Sequence, residues 1–584
     1  MAKIEQTTLP EIEPVNSIKE MLRNTAAEAG DEIAYKFRTG DEVTEITFRA
    51  FREDTLALGE ALRALGISGE HIAICAENSY RWINVYLTVL QSSGVFVPID
   101  KELPDADFLN VLKDSDSTVL FYTHKHVPVL REHMAELDAI RYFIAIGEDA
   151  AIGEGARFLT LDSLLTEGYA LREAGHTDFE TEERDHEALA MLVYTSGTTG
   201  LAKGVMLTEH NLCAGVYFGM RRCTPGKVGL SVLPYHHTYE AVPGILVAIH
   251  HHSTLCINEN LRTVAKNLLF YKPDYIYLVP AFVEAFYKKI WATVEREGKG
   301  VAFSALLKFS NGLRKIGIDR RKELFGKVLD SFGGNLNMIV CGGAPIRAEM
   351  GAFFESIGIS IFNGYGITEC SPLVSCNLRS LNDCTTVGMP LECCEIRLDD
   401  ESEEGDGEIC VRGDIVMKGY YKRPDLTAEV LEPDGWFHTG DYGKITKKGQ
   451  LVITGRKKNL IVLTNGKNIF PEEIEAYIQR IPYVSEVVVF GIRDHHGQEE
   501  SLGAEVFLNA EKVAEMKITD PATALKKDIG RACQSLPSYK RISRIFIRPV
   551  EFEKTTTNKI RRSSLLYQQV EVEEAQDAEL PPEA

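Results

Sequence analysis

Over its first four hundred or so residues the chain alternates between two periodicities, and Gly and Pro turns separate them. Phe51, Leu58, Leu62 and Leu65 fall on one face at helical spacing, Ile72 to Cys75 reads as a short strand, and Val95 to Ile99 as another. Strands and helices taking turns in this way imply layered α/β structure. A chain of 584 residues, 44% of them hydrophobic, exceeds the size at which one core keeps growing, so two or more large folding units are expected. No internal repeat is present. From Glu401 to Gly407 an acidic, Gly-containing turn introduces strand-like runs such as Glu408 to Val411 and Leu451 to Thr454. Beyond Gly455 the charged stretch GRKKN leads into a compact α+β pattern: helix Glu472 to Gln479, strand Val487 to Phe490, helix Ala524 to Ser535, strand Ile545 to Ile547. The expected organisation is a large N-terminal domain, 1–457, that includes a small β-rich subdomain, then a small C-terminal α+β domain, 458–567. Residues 568–584 form an acidic tail, expected to be disordered.

Composition narrows the function classes. The 85 acidic residues against 64 basic ones give a net charge of -21, which argues against a general nucleic-acid binder and against a dedicated binder of anionic membranes. Twelve cysteines occur without a Cys-x-x-Cys pair, which reads as buried thiols in a reducing compartment rather than a zinc site or disulfide framework. The start, MAKIEQTTLPEIEPV, lacks the basic-then-apolar order of a secretory signal. No run approaches the roughly 18 apolar residues of a membrane span. A cytoplasmic protein with no integral membrane segment is expected, and peripheral membrane contact stays open.

The most informative segment is YTSGTTGLAKG, Tyr194 to Gly204. Gly197 and Gly200 let backbone N–H groups approach an anion closely, Thr195, Ser196, Thr198 and Thr199 offer hydroxyl donors, and Lys203 adds a mobile positive charge. Such a loop can wrap phosphate oxygens; an ordinary polar turn is the plainer alternative. It is not a Walker A loop, which needs Gly five residues after Gly197 and then Lys-Ser/Thr; Ala202, Lys203 and Gly204 stand there.

This segment resembles the signature loop of the adenylate-forming superfamily, which includes acyl-CoA synthetases, luciferases and the adenylation domains of peptide synthetases. CGGAP at Cys341 to Pro345 looks like that family's adenine-side loop, and NGYGITE at Asn363 to Glu369 like its second nucleotide motif. WFHTGD at Trp436 to Asp441, Gly455-Arg456, and NKIRR at Asn558 to Arg562 follow in the family's order, so the resemblance spans roughly residues 40 to 565. It implies an ATP site built from Thr195, Ser196, Gly197, Thr198, Thr199, Gly200 and Lys203, with Gly342, Gly343, Ala344 and Pro345 beside the adenine. Asn363, Gly364, Tyr365 and Gly366 complete the base side, Tyr365 stacking on the ring. Glu369 supplies a hard oxygen ligand for Mg²⁺, with Thr195 a second, and Thr368 hydrogen-bonds the α-phosphate. Asp441 offers two acceptors to the ribose hydroxyls, and Arg456 donates to ribose or phosphate.

Lys559 lies in a run, Lys540 to Arg562, that holds eight basic residues against Glu551 and Glu553, a local positive field in an acidic chain. The resemblance makes it the catalytic lysine, stabilising charge between the carboxylate and the α-phosphate. The family usually has Gly before this lysine; Asn558 stands there, and Asn also tolerates left-handed backbone. The resemblance further implies that the C-terminal domain turns about a hinge at Lys458 between two half-reactions. LTNGKN, with Gly466, then approaches the CoA pantetheine. In LPYHHTYE, Leu233 to Glu240, His237 matches the position that borders the acyl tunnel; a buried structural histidine is the alternative. His250 to His252 and His495 to His496 lack carboxylate or Cys partners at ligand spacing and are expected on the surface.

The runs YGITECSPLVS and GRKKNLIVL look most like bacterial long-chain fatty acyl-CoA synthetases. The implied reaction is ATP-dependent formation of acyl-AMP from a carboxylic acid, then transfer to CoA. A medium-chain or aryl acid, or the phosphopantetheine of an acyl carrier protein as acceptor, stays open. An amino acid is disfavoured, because the stretch Leu278 to Phe282, where an Asp would hold the amino group, is apolar. A non-catalytic nucleotide sensor would be expected to lose Lys559 or Glu369, and both are present.

Overall fold

The structure is a computed structural model that describes residues 9–40, 42–147, 150–195, 202–402, 405–464, 467–493, 498–554, 560–562 and 565–566. The chain divides into two compact units. One comprises Met1–Ile396, Cys410–His438 and Ile445–Val452; the other comprises Arg397–Ile409, Thr439–Lys444 and Ile453–Ala584.

The first unit is built on two large sheets. In the nine-stranded sheet the order is Met389–Pro390, Leu373–Cys376, Ser360–Gly366, Met338–Cys341, Tyr275–Leu278, Val228–Ser231, Thr254–Ile257, Ile33–Thr39 and Glu42–Thr47. Its central strands run parallel, with antiparallel pairs at both edges. The eight-stranded sheet runs Gly419–Tyr420, Lys203–Thr208, Leu189–Thr195, Val95–Pro98, His71–Cys75, Ser117–Tyr122, Tyr142–Ala145 and Phe158–Thr160. Several strands, among them Val95–Pro98, Tyr275–Leu278 and Met338–Cys341, are buried along their whole length and apolar throughout, as parallel strands covered on both faces must be.

The helix Tyr80–Gln91 is buried continuously from Trp82 onward, the mark of a helix enclosed on all sides. Trp82 reaches toward both sheets: its ring centroid is 5.2 Å from that of Phe96, on a strand of the eight-stranded sheet, and 5.3 Å from that of Tyr235, just beyond the strand Val228–Ser231. The helix starts where Ser79 accepts a hydrogen bond from the Trp82 N–H, a side-chain cap worth about 1 kcal/mol. The helix expected around Phe51 to Leu65 is Phe48–Ala64, capped by Thr47.

Three short strands, Gly407–Gly413, Phe437–Ile445 and Leu451–Arg456, form the β-rich segment expected after Glu401, and Cys394–Asp399, which precedes that turn, belongs to the same sheet; residues of these strands are divided between the two units. The second unit carries the three-stranded sheet Val484–Arg493, Glu499–Leu508, Ile542–Arg548, and the helices Pro471–Ile478 and Pro521–Ala532 pack Ile474, Ile478, Leu525 and Ile529 into one core with it. The fold class is thus the expected one: a large α/β portion, a small β-rich sheet and an α+β C-terminal portion. Pro521–Ala532 lies three residues before the helix expected at 524–535, because Asp520 accepts from the Thr523 N–H and Pro521 occupies the first helical turn. Among the described residues no helix is long and apolar enough to cross a membrane.

Candidate active site

The loop Gly342–Pro345 leaves the C-terminal end of the strand Met338–Cys341. The neighbouring parallel strand, Ser360–Gly366, sets Asn363 opposite Cys341, so the two motifs emerge side by side at one sheet edge. In open α/β sheets that edge, beyond the carboxyl ends of parallel strands, is where ligands bind. Two glycines hold the loops in shape. Gly343 has φ +81°, a conformation that glycine adopts without strain, and a Cβ on Gly366 would fall 1.8 Å from the Pro372 carbonyl oxygen. Asn363 is buried and donates its side-chain amide to the Thr386 carbonyl at 2.9 Å. Tyr365 and Thr368 are both 8% exposed.

Glu369 follows directly, in the short helical turn Thr368–Cys370. Its backbone carbonyl accepts from the Met417 N–H at 2.8 Å, and its Oε1 accepts from the Tyr420 hydroxyl at 2.9 Å. Tyr420 lies on the strand Gly419–Tyr420, which pairs with Lys203–Thr208 in the register Tyr420 opposite Val205. Lys203 in turn pairs with Thr195 across the hairpin that contains the Gly-rich loop, and its Nζ sits 5.0 Å from the centroid of the Tyr420 ring. Thr195, Lys203, Tyr420 and Glu369, from three separate stretches of sequence, are linked in this way. Burial first, and then the Glu369 carboxylate, push the Tyr420 hydroxyl well above the usual phenol range, so it stays a donor. Sequence reasoning missed Tyr420. Its signal, a tyrosine pair after Gly419, is shared with any turn. Ser196, Gly197, Thr198, Thr199 and Gly200 lie outside the described residues.

In the second unit, Asp441 is 2% exposed and accepts from Arg456 Nε at 2.7 Å. The Asp441 N–H donates to Thr439 Oγ1, whose hydroxyl donates to the Ile409 carbonyl, and the Gly440 N–H donates to Glu408 Oε1 at 3.2 Å. Glu408 also pairs with Lys457, directly after Arg456. A buried carboxylate thus pairs with a guanidinium that is 43% exposed. Lys458 lies in the short turn Lys457–Asn459, whose last residue donates to Glu472. Gly466 and Lys559 lie outside the described residues, as do His495 and His496.

Two expectations need correction. The positive field read into Lys540–Arg562 is compensated in part, at four of its eight cations. Lys540 pairs with Glu473 and Arg562 with Glu475, each at 2.7 Å, Arg548 pairs with Glu505 at 2.6 Å, and Lys554 pairs with Glu486. These carboxylates come from other elements, and Arg548 and Glu505 are both buried. Second, His250 to His252 are not surface histidines without carboxylates. They line a cavity of about 210 Å³ with Glu11, Glu13, Glu20 and Glu28; His252 Nε2 is 3.6 Å from Glu28 Oε2, and His250 Nε2 is 3.0 Å from the Glu13 carbonyl oxygen. Burial, more than any charge, pushes all three below the ordinary imidazole value. His237 is half-buried and accepts from the Tyr239 N–H through Nδ1 at 3.1 Å, so that it caps the turn Thr238–Glu240.

A family profile described as "AMP-binding enzyme" matches residues 22–421, and one described as "AMP-binding enzyme C-terminal domain" matches 458–576. A long-chain-fatty-acid–CoA ligase of Mycobacterium bovis is 31% identical over 483 residues, 79% of this chain and 78% of that protein. A chloroplastic long-chain-fatty-acid–[acyl-carrier-protein] ligase of Arabidopsis thaliana is 27% identical over 87% of this chain and 78% of its own length. Among solved structures, an anthranilate CoA ligase in complex with anthranoyl-AMP superposes with a TM-score of 0.74 at 20% identity, covering 95% of this chain and 97% of that one; this likeness speaks to fold alone.

Proposed function

The chain belongs to the AMP-binding enzyme family, and from that premise we propose that it is an AMP-forming acid–thiol ligase. It activates a carboxylic acid, a long-chain fatty acid foremost, with ATP to give acyl-AMP and pyrophosphate, then transfers the acyl group to the thiol of CoA with release of AMP. The observation that carries this reading is the convergence of Thr195, Lys203, Tyr420 and Glu369 on the hairpin that bears the Gly-rich loop. The similarity to the long-chain-fatty-acid–CoA ligase supports the choice of acid.

In this reading the Gly-rich hairpin grips the phosphates, with Lys203 supplying positive charge, and Gly342–Pro345 and Asn363–Gly366 receive the base, Tyr365 stacking on it. Asp441 takes the ribose hydroxyls while Arg456 orients it, and Thr368 donates to the α-phosphate. The Glu369 carboxylate and the Thr195 hydroxyl are the hard oxygen donors that Mg²⁺ takes, and the ion bound there would neutralise phosphate charge. Lys559 bridges the attacking carboxylate oxygen and the α-phosphate as the O–P bond forms and pyrophosphate leaves. The 458–567 domain then turns about Lys458. This removes Lys559 and brings the segment around Gly466 to the thiol, which attacks the acyl carbon and expels AMP. His237 borders the acyl tunnel through its ring, and the location is cytoplasmic. The Arabidopsis relative favours one second reading, in which a carrier-protein phosphopantetheine replaces CoA at the same chemistry.

The test is acid-dependent ATP–pyrophosphate exchange across fatty acids of increasing length, followed by thioester formation with CoA and with acyl carrier protein. Exchange that rises with chain length and thioester formation on CoA support the proposal. Exchange with amino acids or with no acid at all would refute it.

A further inference from the structure

The helix Gly300–Lys315 has two apolar faces. One is ordinary: Phe303, Leu306 and Leu307 pack into the core around the nine-stranded sheet, the Phe303 ring 5.4 Å from Trp291 and 5.9 Å from Phe325. The other faces water. Val301, Ala305, Phe309, Gly312 and Ile316 recur at intervals of four, four, three and four residues, the spacing of one helical stripe, and every one of them is exposed. Val301 is 89% exposed, Phe309 57% and Ile316 71%, and Ile318 continues the set beyond the helix end.

Isolated exposed apolar residues are normal, but an aligned set of them is not. The preceding helix, Pro280–Arg296, gives the comparison within the same fold. Its exposed positions are Ala281, Ala285, Lys288, Lys289, Ala292, Glu295 and Arg296, small or charged as a solvated face requires.

The surrounding charge is net positive. Between 280 and 330 there are 11 Lys or Arg against 6 Asp or Glu, in a chain that carries 64 against 85 overall. Part of that charge is paired within the fold: Arg314 with Glu355, Arg321 with Asp319 and Glu355, Lys288 with Glu284, Lys299 with Glu297 and Arg320 with Glu323. Lys308 and Lys315 stand exposed beside the stripe, each next in sequence to one of its large apolar residues. The whole-chain charge argues against an anionic surface as partner, but the charge is not evenly spread, and a surface senses the face it meets within a Debye length, about 8–10 Å.

We propose that this face docks peripherally on an anionic lipid bilayer. Val301, Phe309 and Ile316 enter the boundary between headgroups and acyl chains, and Lys308 and Lys315 meet lipid phosphates. An apolar stripe flanked by lysines on an otherwise anchored helix is the pattern of an interfacial helix rather than of a spanning one. Only a few large residues are engaged, so binding is reversible and salt-sensitive.

The proposal is independent of the catalytic reading, since binding is measured without acid or ATP. The full chain is sedimented with vesicles of phosphatidylcholine alone and with vesicles containing a third phosphatidylglycerol, at low and high salt. Binding is expected on the anionic vesicles only, weakening with salt. The double variant Phe309→Ser, Ile316→Ser should lose at least about tenfold in partition, from the apolar area withdrawn. Lys308→Glu with Lys315→Glu should lose about fivefold for each lysine removed. Because these side chains are exposed, thermal midpoints should stay at the wild-type value. The charge variant leaves the apolar stripe intact, so a folding defect in the serine variant does not decide the matter. Failure of the wild type to bind anionic vesicles at low salt, or equal binding by wild type and both variants, would overturn the proposal. So would lipid-free self-association, read by analytical ultracentrifugation and lost in the serine variant, since the face would then belong to a second copy of the chain.

Discussion

Tyr420→Phe separates the hydroxyl that touches Glu369 from the ring that lies beneath Lys203. The Tyr420 hydroxyl donates to Glu369 Oε1 at 2.9 Å, and the ring centroid is 5.0 Å from Lys203 Nζ. Phenylalanine keeps the ring, the strand Gly419–Tyr420 and its pairing with Lys203–Thr208, so the fold and the cation–π contact persist. What is lost is one hydrogen bond to the Glu369 carboxylate, worth about 1.5–3 kcal/mol. Glu369 is only partly buried and water can replace the donor, which places the loss near the low end, about 1.5–2 kcal/mol, or roughly a 10–30-fold slower adenylation. Since burial and then Glu369 push the pKa of the hydroxyl well above the usual phenol range, it donates throughout the neutral range, and the defect should not depend on pH there. Tyr420→Leu also removes the ring and should cost a further 0.5–1 kcal/mol or so. Two assays are compared: acid-dependent ATP–pyrophosphate exchange, and thioester formation from supplied acyl-AMP. Exchange should fall while thioester formation holds within about twofold, because in the proposed mechanism Glu369 serves phosphoryl chemistry alone. An exchange rate at the wild-type level in Tyr420→Phe, or an equal fall in both assays, would show that the contact between Tyr420 and Glu369 is structural.

Three further outcomes are expected. Glu369→Gln should slow Mg²⁺-dependent exchange by at least about a hundredfold, roughly 3 kcal/mol, and near-normal turnover at low Mg²⁺ would take Glu369 out of the site. Lys559→Ala should abolish acyl-AMP formation yet leave thioester formation from supplied acyl-AMP nearly intact; comparable losses in the two would refute the two-step use of the C-terminal domain. Glu240 is 1% exposed, with Ser231 Oγ 2.5 Å from its carboxylate, and burial raises it from the ordinary 4.5 to about 8. The folded state therefore keeps a proton that the unfolded state has lost between about pH 4.5 and about 8, and stability falls as pH rises through that window by about 1.4 kcal/mol per unit. Glu240→Gln removes this slope, so its thermal midpoint relative to wild type should rise between pH 6 and pH 8; a constant gap would show that Glu240 is ionised in the fold.

Backbone-level features were largely legible. The strands around Ile72 and Val95 and the helix around Phe51 declare themselves because their burial repeats within a few residues. The helix Pro521–Ala532 was misplaced for an instructive reason. Cys533 and Leu536 continue its apolar pattern into the same core after the helix has ended, so burial periodicity outruns the hydrogen-bond ladder. The start was readable instead from Asp520 and Pro521, whose preference for the first turn is chemical rather than periodic. Side-chain pairing was not legible in the same way. Tyr420 meets a carboxylate 51 positions away and a lysine from the Gly-rich hairpin, and nothing within reach of a sequence window connects them.

Charge shows the same limit in both directions. Lys540 to Arg562 looks strongly positive when counted along the chain, yet Glu473, Glu475, Glu486 and Glu505 fold back onto four of its cations. A compensated run attracts little at a distance, because paired charges present dipoles whose field falls faster than that of an isolated charge. The opposite holds near Gly300–Lys315, where the cations are more dispersed in sequence and go unremarked in an acidic chain, while Lys308 and Lys315 stay exposed beside apolar residues. What a charged segment can attract is set by which carboxylates the fold returns to it. The paired run on the second unit therefore predicts less long-range attraction for anions than its composition suggests, and the modest excess along 280–330 predicts more. Salt titration of vesicle binding by the wild type and by Lys308→Glu with Lys315→Glu tests the second half of that contrast directly, since a salt slope unchanged by the reversal would place the attraction elsewhere on the chain.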